Sequence, residues 1–140
     1  MVSINLSREV HTCLDRVWDI IADIDKEPYF WPSIKMINNI SRNGNVVERE
    51  VITGFRNSKS CQTVVIYPRT SIEVSMIKGP MRGNRNILLN MFPMENNKTR
   101  INILWDIDLF NIFVSDRAII SKNLRKETIE ALNRIAQVAE

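Results

Sequence analysis

The sequence predicts an α+β fold: a seven-stranded curved antiparallel sheet wrapped around one long C-terminal helix, with two short helices after the first strand. Three observations carry this. Apolar residues alternate with period two in successive segments between residues 2 and 107, whereas helical spacing is confined to a stretch after residue 12 and to the C-terminal end. The strands are joined by connections of hairpin length, which makes neighbours antiparallel. The last segment keeps one apolar face to about residue 139, roughly 35 Å of helix at about 1.5 Å per residue, enough to cover one face of a small twisted sheet.

The elements follow in order. Val2, Ile4, Leu6 and Val10 share one parity and predict a first strand over residues 2–11. Thr12 can cap a helix in which Leu14, Val17, Trp18 and Ile21 fall at helical spacing, to about residue 23. The prolines at 28 and 32 limit the next segment to one helical turn. Ile34, Met36 and Ile40 begin a strand that ends at the turn Asn43-Gly44-Asn45. Val47 and Val51 mark the next strand, ending near Gly54, with residues 55–59 as a loop. Strands follow around Cys61–Tyr67, Ile72–Met76, Ile87–Met91 and Ile101–Ile107. The predicted breaks between them are Pro68-Arg69-Thr70, residues 79–84 and Glu95-Asn96-Asn97-Lys98. Ser115 or Asp116 caps the long helix, whose inner face is Ile120, Leu124, Thr128, Ala131, Ile135 and Val138, widened by Leu132, Ala136 and Ala139.

Composition sets the bounds. A chain of 140 residues with 44% apolar and 25% charged residues fits one domain with one core, here residues 1–140. No stretch reaches the roughly 18 apolar residues of a membrane span, and the N-terminus has no apolar leader core, so the expected compartment is the cytoplasm. A net charge of +3 is too small to indicate nucleic acid. Cys13, Cys61 and the single His11 fall short of a structural zinc set, so no metal or cofactor is expected. Two buried free thiols are expected in preference to a Cys13–Cys61 disulfide.

The order of elements resembles the SRPBCC superfamily, which includes START-type lipid carriers, polyketide cyclases, coenzyme-Q-binding proteins and plant hormone receptors. The stretch from Val10 to Pro32 carries the resemblance best: a strand end, then Val17-Trp18-Asp19-Ile20-Ile21, then Asp23-Ile24-Asp25, then Trp31-Pro32. The resemblance implies a helix-grip fold with a cavity for a hydrophobic ligand between sheet and helix. It also implies that the short helices close one end of the sheet, and that the loops at 54–59 and 79–84 act as gate and latch.

The expected site follows from strand parity and from which turns share an end of the sheet. The cavity wall is expected from Phe55, Met76, Leu89, Met91, Ile103, Trp105, Ile120 and Leu124, with a dry core as the alternative. The mouth is expected from residues 54–59, 79–85 and 109–117. Gly79, Pro80 and Gly83 would shape a loop there, and Arg56, Lys59, Arg82, Arg85 and Arg117 would form a basic rim, either solvated or drawing in an anionic group. Asp106 and Asp108 face one way on a strand but are read as a solvent face. Arg8 shares the apolar parity of the first strand and is either an internal anchor or released to solvent by strand twist.

No catalytic constellation is present: any triad must use His11, and Gly79 and Gly83 do not make a phosphate loop. The expected function is binding or transport of a hydrophobic, optionally anionic, small molecule such as a lipid, isoprenoid quinone or polyketide-like ring. A cyclase or aromatase working in the same cavity is one alternative. The other is an interaction protein that binds a ribosome or chaperone through a basic stripe of Lys122, Arg125, Lys126 and Arg134, interrupted by Glu127 and Glu130.

Overall fold

A computed structural model describes residues 2–140. The chain begins with strand β1 (Val2–Val10), helix α1 (Leu14–Ile21), a 3-10 turn at Ile24–Lys26 and the single-turn helix α2 (Glu27–Phe30). Six strands follow: β2 (Ile34–Asn43), β3 (Val46–Thr53), β4 (Lys59–Tyr67), β5 (Ser71–Lys78), β6 (Met81–Phe92) and β7 (Glu95–Leu109). The chain closes with α3 (Val114–Ala139). The sheet is antiparallel with order β1-β7-β6-β5-β4-β3-β2, a meander whose first strand joins beside its last.

Parity decides which side chains face α3. Along β7 the inward set is Ile101, Ile103, Trp105, Ile107 and Leu109, all buried; β5 contributes Ile72, Val74 and Met76. β2 departs from its expected pattern, because Met36 and Ile40 are exposed. This is the outer edge strand, with register shifts after Ile34 and Asn39, so α3 does not cover it. Its Lys35, Asn38, Asn39, Arg42 and Asn43 discourage pairing with another sheet.

Two predicted breaks are corrected. Residues 79–84 are not a long loop: only Gly79 and Pro80 separate β5 from β6, and Arg82, Gly83 and Arg85 lie within β6. Gly83 is a strand residue at φ 141°, where a Cβ would lie 2.1 Å from the Asp106 carbonyl oxygen. The glycine therefore marks close backbone approach between paired strands and not a turn. The turn before β7 is Pro93-Met94, and Glu95 to Lys98 belong to the strand.

The long helix meets the sheet unevenly. Its C-terminal half buries Ala131, Leu132, Ile135, Ala136 and Ala139, and the three alanines let the helix approach closely. Val138 is exposed instead. Arg16 on α1 donates to the carbonyls of Ala139 at 2.7 Å and Val138 at 3.0 Å, satisfying orphan acceptors at the helix end. The N-terminal half overhangs: between Val114 and Asn123 no residue is fully buried. Phe113, not Ser115 or Asp116, occupies the N-cap, and its side chain cannot bond the first turn. Cys13 and Cys61 are free. Cys13 is exposed at the N-cap of α1, which corrects the expectation of two buried thiols; Cys61 is half-buried. No helix among the described residues is long and apolar enough to cross a membrane.

Candidate functional site

Where α3 overhangs, it leaves a cavity of about 330 Å³ between itself and the inner face of the sheet. The sheet supplies Val51, Val74, Met76 and Trp105, and the helix side supplies Ile112, Ile120 and Leu124. Trp31, Ser33 and Ile34 close a third side from the junction of α2 and β2. Thr53 at the end of β3, Gly54 and Phe55 of the β3–β4 connection and Met81 at the start of β6 add to the lining.

The floor is polar, and parity explains why. Arg49 on β3, Ser60 and Gln62 on β4 and Arg85 on β6 all occupy inward positions that neighbouring strands fill with apolar side chains. Register gathers them: Arg49 pairs with Gln62, Gln62 with Met76, Val74 with Arg85 and Arg85 with Trp105. Glu27, at the start of α2, reaches down between the two arginines. Arg49 Nη2 donates to Glu27 Oε1 at 2.5 Å, and Arg85 Nη2 donates to Glu27 Oε2. Arg49 Nε also donates to Gln62 Oε1 at 3.0 Å, and Gln62 Nε2 to Ser60 Oγ at 3.3 Å.

These are core positions. Arg49 is 1% exposed, Arg85 3% and Glu27 6%. Burial pushes the Glu27 carboxyl up, but the guanidinium groups of Arg85 and Arg49, with the hydrogen bonds they donate, outweigh it and hold the carboxyl below its ordinary range. Burial pushes the Arg85 guanidinium down, Glu27 opposes this, and Arg49 adds to it as a like charge. Arg85 also lies over the Trp31 ring at 4.6 Å and near the Trp105 ring at 5.6 Å. The two indoles meet edge to face, 5.7 Å apart at 79°.

Two helix residues frame the other side. Thr128 Oγ1 accepts from Trp105 Nε1 at 3.0 Å and donates to the Leu124 carbonyl at 2.7 Å. Glu127 turns inward, its Oε1 accepting from Ser33 N at 2.9 Å and Ser33 Oγ at 2.5 Å. Thr128→Val keeps the shape and leaves the buried indole N–H without its acceptor. An expected loss of about 1–3 kcal/mol follows; a urea unfolding curve matching wild type would show that this bond is dispensable.

Of the residues expected in the wall, Phe55, Met76, Trp105, Ile120 and Leu124 border the cavity. Leu89 and Ile103 are buried but do not border it, because they face the part of the sheet where the helix packs close. Met91 is 59% exposed, since β6 ends in a register shift beside the Pro93-Met94 turn. Of the expected rim, Arg56, Lys59, Arg82 and Arg117 are exposed. Arg56 reaches Asp116 at 4.0 Å, Lys59 pairs with Glu50 at 3.0 Å, and Arg82 lies 4.3 Å over the Phe110 ring. Arg85 is the correction: strand parity takes it off the rim and into the interior.

Arg8 stays inside the fold, its Nη1 donating to Asn133 Oδ1 of α3 at 2.5 Å. Asp106 and Asp108 lie on the exposed outer face, where Asp106 accepts from Ser3 Oγ at 3.2 Å. In the basic stripe, Lys122, Arg125 and Lys126 are exposed, whereas Arg134 pairs with Glu130 at 2.8 Å. Glu27, Arg49 and Gln62 were not expected at the site. The available signal was a polar residue at an inward parity position on β3 and again on β4; for Glu27 no sequence signal exists.

Solved structures share the fold. A protein from Thermus thermophilus superposes with a TM-score of 0.81 at 12% identity, over 98% of this chain and 96% of that one. The Zhui aromatase/cyclase from a Streptomyces species gives 0.79 at 12% identity, over 98% and 92%. A START superfamily protein from Mycobacterium smegmatis gives 0.74 at 14% identity, over 99% and 99%.

The chain has the helix-grip fold.

The strand order, the short helices after β1 and the closing helix of this fold match along nearly the full length, as expected from the Val10 to Pro32 stretch. At these identities the likeness is one of fold. No protein-family model and no curated protein matches the sequence. Within the helix-grip frame, the cavity sits where sheet and helix diverge, and its polar floor is built by the residues of this chain.

Proposed function

We propose that this protein binds a hydrophobic small molecule in the cavity between the sheet and the first half of α3, as a carrier or sensor. The observation that carries the reading is the cavity itself: about 330 Å³ with largely apolar walls, beside the buried core. That volume lies at the lower end of small-molecule pockets, which favours a compact ligand over a large lipid. Met76, Met81 and Trp105 offer adaptable and flat surfaces to such a ligand. The polar groups Ser60, Gln62 and Arg85 would fix its orientation.

Native mass spectrometry of protein purified from its own cells tests this. A defined adduct of small-molecule mass is expected, and Leu124→Trp, which fills the cavity from α3, should lose it. An adduct that survives this substitution would place the ligand elsewhere, and no adduct in any preparation would count against the reading. A second reading, an aromatase/cyclase-like enzyme, draws on the polar floor inside apolar walls, because a fixed cation beside aromatic rings can steady a developing enolate. Turnover of a polyketide-like substrate would select it.

A further inference from the structure

We propose that the ligand carries an acidic oxygen group, a carboxylate or an acidic enol or phenol, and that this group seats on Arg85 at the floor of the cavity and not on the basic rim. This deepens the binding reading above and rests on it.

The hydrogen bonds at the floor are unevenly shared. Two buried guanidinium groups, Arg49 and Arg85, share the single carboxylate of Glu27. Arg49 is the better supplied, since it also reaches Gln62, whereas Arg85 hydrogen-bonds Glu27 alone among the described residues. The Arg85 Nε is buried without a hydrogen-bond partner, and so is the Arg49 Nη1. The tryptophan rings stabilise the Arg85 charge but cannot satisfy its in-plane donors as an oxygen would. Glu127 is the other carboxylate beside this space. It is half-buried and both its hydrogen bonds come from Ser33; it acts on Arg85 through its charge but makes no hydrogen bond there among the described residues. Of the two arginines, Arg85 borders the cavity. A buried cation on the wall of an apolar cavity is best matched by a ligand with an oxygen acceptor that bears charge.

The rim arginines compete for the same group. They are exposed and solvated, and three of the four rim cations already have partners in Asp116, Glu50 and the Phe110 ring. An anion held there gains little, because water screens it.

The test uses two probes of one chain length, decanoic acid and decan-1-ol, titrated calorimetrically into the intact protein at pH 7. The acid should bind about tenfold tighter or more. Arg85→Gln should bring the two within about twofold, and it leaves Arg49 and Glu27 as a balanced pair, so the fold should persist. The double variant Arg82→Glu with Arg117→Glu should leave the preference intact. Equal binding of acid and alcohol to wild type overturns this inference while the cavity reading stands. Loss of the preference on reversing the rim, with Arg85→Gln silent, moves the anion to the mouth and also overturns it. Binding of neither probe counts against the cavity reading and this inference together. If Arg85→Gln does not fold, a crystal structure of wild type with decanoate decides: the carboxylate is expected within hydrogen-bond distance of Arg85, and a carboxylate at Arg82 or Arg117 overturns the proposal.

Discussion

Glu27→Gln is expected to destabilise the fold by about 3–5 kcal/mol, because it removes the one carboxylate between two buried guanidinium groups. The loss is large for the charge left behind, not for the bonds removed. Arg49 and Arg85 would face each other as like charges where water cannot screen them. A double variant that also replaces Arg49 with Met should therefore recover part of the loss, since one guanidinium beside two indole rings is easier to hold than two. The same group sets an acid limit. The Glu27 carboxyl is held below its ordinary value of 4.5 in the folded protein. Its contribution is fully present above that value and is lost as the pH falls through the lowered one. Wild type should lose stability over that acid window, and Glu27→Gln should lack that component. Urea midpoints measured from pH 7 down to acid would check both statements. A Glu27→Gln protein within about 1 kcal/mol of wild type at pH 7 would show that Glu27 is not what holds the two arginines in the core.

Gly83→Ala should cost about 3 kcal/mol, near the upper end for a single substitution. The added methyl would meet the Asp106 carbonyl oxygen at 2.1 Å and the Ile107 Cα at 2.8 Å, both backbone atoms of the paired strand. Neither atom can give way without opening the pairing of β6 with β7, at the register where Gly83 faces Ile107. The strained backbone angle adds to this, at φ 141°. Gly44 is the control. It also has a positive φ, 61°, but nothing lies within 4 Å of its added Cβ, so Gly44→Ala should cost only about 1–2 kcal/mol. Thermal unfolding of the two variants side by side separates overlap from backbone angle. Equal losses would mean that the close approach is relieved at no cost.

Periodicity carried the architecture because it is local. Each strand announces itself by alternation, and the closing helix by its apolar stripe, so the order of elements could be read before any tertiary contact was known. The errors have the same source. Glycine signals both a turn and a close backbone approach, and at Gly83 the sequence does not distinguish the two. The run from Glu95 to Lys98 is polar enough to read as a turn, yet it continues β7 beyond the Pro93-Met94 turn. Met36 and Ile40 alternate correctly and still face solvent, because alternation does not say whether another layer covers the strand.

Alone, the sequence determined a seven-stranded meander and one covering helix, and it named five residues that border the cavity. Tertiary structure decided what lies at the bottom of that cavity. Arg85 and Arg49 carry charges that in sequence fit a rim or a strand of mixed character as well as an interior. Glu27 sits on a single helical turn whose direction no pattern specifies. A buried charge is tolerated only where a partner of opposite sign arrives from elsewhere in the chain. Here that partner is 22 residues from Arg49 and 58 from Arg85, a meeting set by packing and not by spacing.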